Sequence, residues 1–335
     1  MIVSSTYRAP RWLPGGHLQT IYPAIFLRGP RAGYRRERWE TPDGDFVDLD
    51  WATAAVNPTG LNPEASAPLL ALFHGLEGSS TSHYAHALMT RVGALGWRGV
   101  VVHFRGCSGE ANRLARAYHS GDSAEIDWML RRLRAHAAGP LFAAGVSLGG
   151  NALLKWLGEQ GAAAADVITG AVSVSAPLDL MAAGDALGRG FNFVYTRKFL
   201  LTLKRKSIAK LAAHPQIYDA ARVRSARTLR AFDNVVTAPL HGFRDTDDYW
   251  MRASSKPWLT HIRVPTLLIN ARNDPFLPQH ALPAEHEVSQ FVTCDFPEEG
   301  GHVGFVTGPF PGHLDWLPQR IIDFLRHSAC SLAQS

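Results

Sequence analysis

Short apolar runs punctuate the chain and set its rhythm. Pro68 to Phe73, Gly99 to Phe104 and Leu141 to Val146 are rich in Val, Leu and Phe, and turn residues bound each one. Runs of this length and composition predict strands covered on both faces. Between them, His83 to Leu95 and Ser123 to Ala137 carry apolar residues at helical spacing. The alternation resumes with strands predicted at Ile168 to Val174, Thr266 to Asn270 and Gln290 to Phe296, and a last helix from Trp316 to His327. Upstream, Arg36 to Glu40 and Asp45 to Trp51 flank PDGD and predict a hairpin. The leader before them is broken by prolines, and Ala54 to Pro68 reads as a loop. Strand and helix in alternation predict an α/β fold with a mostly parallel sheet and helices on both faces.

One stretch departs from this rhythm. Leu178 to Arg263 holds helical patterns and loops between two predicted parallel strands, without a good strand of its own. It is expected to be a helical cap, residues 178–263, inserted into a single domain spanning 1–335. No internal repeat or low-complexity tract interrupts that picture.

Composition narrows the classes. A chain of 335 residues with 46% hydrophobic and 19% charged residues can bury a sizeable core. No apolar segment is long enough for a membrane span. The opening MIVSSTYRAPRWLPGG lacks the basic and apolar regions of a signal peptide, so a cytoplasmic location is expected. Cys107, Cys294 and Cys330 form neither a C-x-x-C pair nor a disulfide framework and read as buried or incidental thiols. The net charge of +5 is scattered except for a cluster from Arg197 to Lys210, and no nucleic-acid-binding motif accompanies it. The stretch YTRKFLLTLKRKSIAKLAAH alternates basic and apolar residues, as a helix lying on lipid does, and an ordinary helix with a solvated basic face gives the same pattern.

Candidate chemistry enters at GVSLG. Ser147 follows the predicted strand Leu141 to Val146 and precedes an apolar-periodic helix, Ala152 to Leu157. G-x-S-x-G in a strand, sharp turn and helix is the setting of a nucleophile elbow. Gly145 and Gly149 then let strand and helix approach, and the Leu148 N–H opens the helix, where negative charge is favoured. A serine hydroxyl needs a base, and the base needs a carboxylate to hold its tautomer. ARNDPFLP places Asp274 just after a strand, and EEGGHVGF places His302 in a glycine-flanked loop before the last helix. The order Ser, Asp, His fits the elbow architecture. Asp179 is the competing acid, and His280 and His313 are competing bases. A second oxyanion donor is expected from Leu76 in LLALFHGLEGSS, in the loop after an early strand. His83 and His86 stand at a spacing metals use, but no Asp, Glu or Cys partner is suggested nearby, so no metal is expected. Neither G-x-x-x-x-G-K-[ST] nor G-x-G-x-x-G stands in a strand-to-helix setting, so no nucleotide cofactor is expected.

The motifs HGLEGSSTSHY, HFRGCSGE, GVSLGGN, ARNDPF and GGHVGF, in this order, resemble the YheT-like branch of the α/β-hydrolase superfamily, predicted esterases related to plant and animal lipid hydrolases. The leader APRWLPGGHLQT resembles the HLQT segment of that branch, and the similarity runs from about residue 7 to residue 327. The resemblance implies an α/β-hydrolase fold, a Ser147, Asp274, His302 triad, esterase or acylglycerol-type hydrolysis of a small-molecule ester or lipid, and no metal. One departure is His103, where relatives commonly read NFRGCSG. Arg105 and His119 are expected to brace loops around the site. Acyltransferase or thioesterase chemistry on the same triad, and a non-catalytic ligand-binding protein on this scaffold, are the alternatives.

Overall fold

The computed structural model describes residues 1–27, 29, 31–53 and 65–332, with side chains to residue 329. The core of the predicted loop Ala54 to Pro68, and the Cys330 thiol, therefore lie outside the described residues. Among the described residues nine strands form one sheet: β1 (Ile2–Val3), β2 (Gly33–Glu40), β3 (Phe46–Thr53), β4 (Leu69–Phe73), β5 (Arg98–Val102), β6 (Leu141–Val146), β7 (Gly170–Val174), β8 (Thr266–Ile269) and β9 (Val292–Asp295). Their spatial order is β1-β9-β8-β7-β6-β4-β5-β3-β2. From β5 to β1 all neighbours are parallel. The predicted hairpin is present as β2 and β3, an antiparallel pair at the far edge, with β3 also antiparallel to β5.

The apolar runs are fully buried because the sheet is covered twice. In β4, Leu69, Ala71 and Phe73 enter the core beneath α3 (Ser123–Ala135) and α4 (Leu148–Gln160), whereas Leu70 and Leu72 enter the core beneath α2 (His83–Ala94) and α11 (Trp316–Leu332). A strand whose side chains alternate between two cores has no polar face to show, which is why it reads as a continuous apolar run. One feature departs from the sequence reading: a helix, α1 (Gly16–Ile25), stands in the leader. Helix α4 begins at Leu148, the residue whose N–H is expected to open it, four residues before the apolar periodicity of Ala152 to Leu157.

Between β7 and β8 the described residues are helical and contain no strand. This block comprises α5 (Leu180–Leu187), α6 (Phe193–Lys210), α7 (Ala220–Ser225), α8 (Leu229–Val235), α9 (Thr237–Leu240) and α10 (Thr246–Ala253). Asp179 is the N-cap of α5 and accepts the Ala182 N–H at 3.0 Å, a capping task that occupies the carboxylate. The basic cluster of α6 turns partly inward. Lys206 pairs with Glu77, Lys204 donates to the Arg224 carbonyl, and Lys210 donates to the carbonyls of Leu114, Ala115 and Arg116. Its outer face shows Val194, Arg197, Lys198, Leu201 and Arg205.

Candidate active site

Ser147 stands at the tip of the turn from β6 to α4, with φ 53° and ψ −119°. This conformation costs an L-residue about 1–3 kcal/mol and persists only where the surroundings impose it. The Ser147 N–H donates to the Val174 carbonyl at 2.8 Å, which ties the turn to the end of β7. A Cβ at Gly145 would come within 2.5 Å of the Gly149 carbonyl oxygen, so helix and strand meet at a spacing open only to glycine.

The three loops singled out in the sequence converge on this serine. Ser147 Oγ lies 2.9 Å from His302 Nε2, and His302 Nδ1 lies 2.9 Å from Asp274 Oδ2. Asp274 is buried, and its Oδ1 accepts the Phe276 N–H at 2.8 Å. A carboxylate only accepts, so the imidazole proton is on Nδ1 and Nε2 is open to take the serine proton. Phe276 stacks on the imidazole at 3.9 Å between centroids and holds its plane. His280 and His313 have no contact with Ser147 among the described hydrogen bonds.

The histidine loop owes its position to the leader helix. Thr20 Oγ1 accepts the His302 N–H at 2.8 Å and donates to the Gly16 carbonyl at 2.6 Å. Gln19 is fully buried, and its Oε1 accepts from Gly300 N at 2.8 Å and from Asn273 Nδ2 at 2.9 Å. Its Nε2 donates to the Leu13 carbonyl at 2.9 Å and to Glu299 Oε1 at 3.2 Å. Gly301, at φ 60°, lets the loop press on α1, where a Cβ would meet the Gly16 carbonyl oxygen at 2.7 Å. These are the Gln and Thr of HLQT. The motif was visible in the sequence, but its task was not.

The two proposed donor amides have no protein acceptor. Among the described residues neither Leu76 N–H nor Leu148 N–H donates to a backbone or side-chain oxygen. A Cβ at Gly75 would lie 3.1 Å from Ser147 Cβ, so the Leu76 loop rests against the serine. His74 orients that loop. Its Nε2 accepts the Phe104 N–H at 3.1 Å, which leaves the proton on Nδ1 to be donated to the Gly75 carbonyl at 2.8 Å. Burial pushes His74 down to about 3, so it stays neutral. In a trans peptide the N–H points opposite to the C=O, and anchoring the Gly75 carbonyl aims the Leu76 N–H away from His74.

A cavity of about 630 Å³ opens over Ser147 and His302, a volume on the scale of small-molecule sites. Toward the helical block its wall is apolar, with Leu187, Phe199, Leu203, Leu229 and Phe232. Its polar part is formed by Glu77 and Tyr118 from the loops at the sheet, facing Lys206 of α6. Arg105 and His119 also line it: Arg105 binds Glu125, Asp45 and Asp43, and His119 packs on His241, Phe243 and Tyr249. His103 bonds Asp50 Oδ2 at 2.8 Å. Burial pushes the Cys107 thiol up to about 11, so it is a wall group and not a second nucleophile at neutral pH. His83 Nε2 donates to the Val303 carbonyl at 3.2 Å, and the described residues contain no group of three metal-ligating side chains.

Comparison with known proteins agrees with the fold. A family model described as alpha/beta hydrolase fold matches residues 68–309, and the chain belongs to that family. Within it the chain is of the YheT-like branch. It is 42% identical over 313 residues to the Escherichia coli (strain K12) protein named Putative esterase YheT, covering 92% of this chain and 89% of that one. It is also 28% identical to the Homo sapiens protein Phospholipase ABHD3, over 97% of this chain and 80% of that one. Among solved structures, the Pyrococcus furiosus esterase Pf2001 is similar with a TM-score of 0.54 at 16% identity, covering 88% of this chain and 93% of that one, a likeness of fold.

Proposed function

We propose that this chain is a serine hydrolase of carboxylic esters. The observation that carries the reading is the continuous hydrogen-bonded line from Ser147 through His302 to Asp274, opening into a partly apolar cavity. His302 Nε2 takes the proton as Ser147 Oγ attacks the ester carbonyl. The Leu76 and Leu148 amides receive the oxyanion, and Asp274 stabilises the imidazolium. The imidazolium then protonates the leaving alcohol. Water, deprotonated by the same Nε2, attacks the acyl-enzyme and releases the acid. Residues 178–263 act as a cap within one domain, and their apolar wall takes the acyl chain. Relatives named as an esterase and a phospholipase, together with the Saccharomyces cerevisiae Monoacylglycerol lipase, 27% identical over 73% of this chain, support an ester or lipid substrate. We place the activity in the cytoplasm on the cysteine usage; among the described residues no helix is long and apolar enough to cross a membrane.

Fluorophosphonate labelling and hydrolysis of p-nitrophenyl esters from acetate to palmitate test the reading. Ser147→Ala is expected to abolish labelling and to lower kcat on the order of 10⁵-fold or more. Absent labelling of the folded wild-type protein, or labelling that survives Ser147→Ala, overturns it. Products formed with competing alcohols and thiols separate an esterase from an acyltransferase or thioesterase.

A further inference from the structure

The Leu76 amide is held from two sides, and the second is backed by the helical block. Upstream, His74 anchors the Gly75 carbonyl. Downstream, the Glu77 N–H donates to Tyr118 Oη at 2.9 Å, and the same hydroxyl donates to Glu77 Oε1 at 2.9 Å. Glu77 stands at φ 56°, a conformation a non-glycine residue keeps only when it is held. Its carboxylate is almost buried, with 8% of the side chain exposed, and the cation facing it is Lys206, with Nζ 2.8 Å from Oε2. Lys206 belongs to α6, 129 residues away in sequence. Cys107 Sγ lies 3.8 Å from the same Nζ.

We propose that Lys206 is a positioning residue, through which helix α6 holds Glu77 and so aims the Leu76 N–H at the oxyanion. The proposal rests on the serine-hydrolase reading above. Without Lys206 a buried carboxylate loses its counter-charge, and the favourable response is for it to turn toward the water of the cavity. That movement breaks the bond to Tyr118 and frees the Leu76–Glu77 peptide to rotate out of its left-handed turn. The adjoining Gly75–Leu76 peptide then loses its downstream support and is held by His74 alone. The Leu76 N–H it carries drifts from where charge develops, although the serine, histidine and aspartate stay in place. A purely structural tether gives a different expectation. Helix α6 is also fastened by Lys210, which reaches three carbonyls of the 114–116 segment at 2.9–3.0 Å, so removing Lys206 leaves the helix docked.

The test is Lys206→Met beside Glu77→Gln, the double variant and Lys206→Arg, each measured for kcat, KM, Tm and inhibition by a trifluoromethyl ketone. That inhibitor forms a tetrahedral adduct and reports the oxyanion site directly. Lys206→Met is expected to lower kcat about tenfold and to weaken the ketone by the same factor, with KM within about twofold. Glu77→Gln should show a similar loss, the double variant no further loss, and Lys206→Arg partial recovery. Unchanged kcat and ketone inhibition in both single variants, or a loss confined to KM or Tm, overturns the proposal. Ser147→Ala run in parallel separates the two readings. If it abolishes turnover while Lys206→Met is silent, only the positioning role fails; if turnover survives it, the triad reading fails and this inference with it.

Discussion

Replacing Gln19 by leucine tests whether the leader helix holds the histidine loop. The side chain is fully buried, so the volume is nearly kept while four hydrogen bonds go. The Leu13 carbonyl, the Gly300 N–H and Asn273 Nδ2 lose their partner in a place water reaches poorly. An unsatisfied buried group costs about 1–3 kcal/mol, and with some relaxation the three together cost about 3 to 6 kcal/mol. For a chain of 335 residues unfolding as one unit, the entropy of unfolding converts this to a fall in Tm of about 4 to 9 °C. Because Gly300 precedes His302 by two positions and Asn273 adjoins Asp274, kcat is expected to fall about 10- to 100-fold through misplaced groups. Gln19→Glu keeps both acceptor bonds but loses the donor to Leu13 and brings a carboxylate to Glu299, so it should fall between wild type and leucine. Calorimetry and steady-state ester hydrolysis on the same preparations give the answer. A Gln19→Leu protein with Tm within about 1 °C of wild type and unchanged kcat refutes the role.

Two further outcomes follow from the helical block. Burial raises the Asp233 carboxyl from 3.8 to about 6, against the hydrogen bonds from Thr237 and Trp250. The folded protein then holds a proton between about pH 4 and pH 6 that the unfolded chain has released, so stability falls as pH rises through that window. Asp233→Asn should therefore gain about 2 to 3 kcal/mol over wild type at pH 7.5 and little at pH 4, and a Tm difference independent of pH contradicts it. If the outer face of α6 meets lipid, the protein co-sediments with anionic vesicles, and Arg197→Glu with Leu201→Asp weakens that binding severalfold. Absence of binding, or binding indifferent to this pair, ends the lipid reading.

The central strands and the loops at their ends were legible because two physical signals coincide there. A doubly covered strand must be apolar throughout, and the turn after it must carry whatever the site needs; GVSLG, ARNDP and GGHVG show both. Leader helix α1 was missed for the converse reason. Its buried residues are Gln19, Thr20 and Pro23, so hydrophobic periodicity does not register it, and Pro23 inside it reads as a breaker. The apolar periodicity of α4 registers only from Ala152 because Gly149 and Gly150, which suppress helical propensity, are required in its first turn by close contacts with the β4 end and Ser173. The Glu77, Tyr118 and Lys206 cluster joins three distant segments, and nothing in local spacing announces such a meeting.

The docking of α1 on the histidine loop also bears on synthesis. Thr20 and the His302 amide it holds are 282 residues apart, and Gln19 and Gly300 are 281 apart. At translation speeds of about 5–20 residues per second, the first segment waits on the order of a quarter to a full minute for its partner. During that time β4 to β7 and the serine turn can form, but the imidazole has not left the ribosome. A nascent chain therefore carries the hydroxyl without its imidazole, and the proposed activity can begin only once the segment around His302 has emerged and closed on α1.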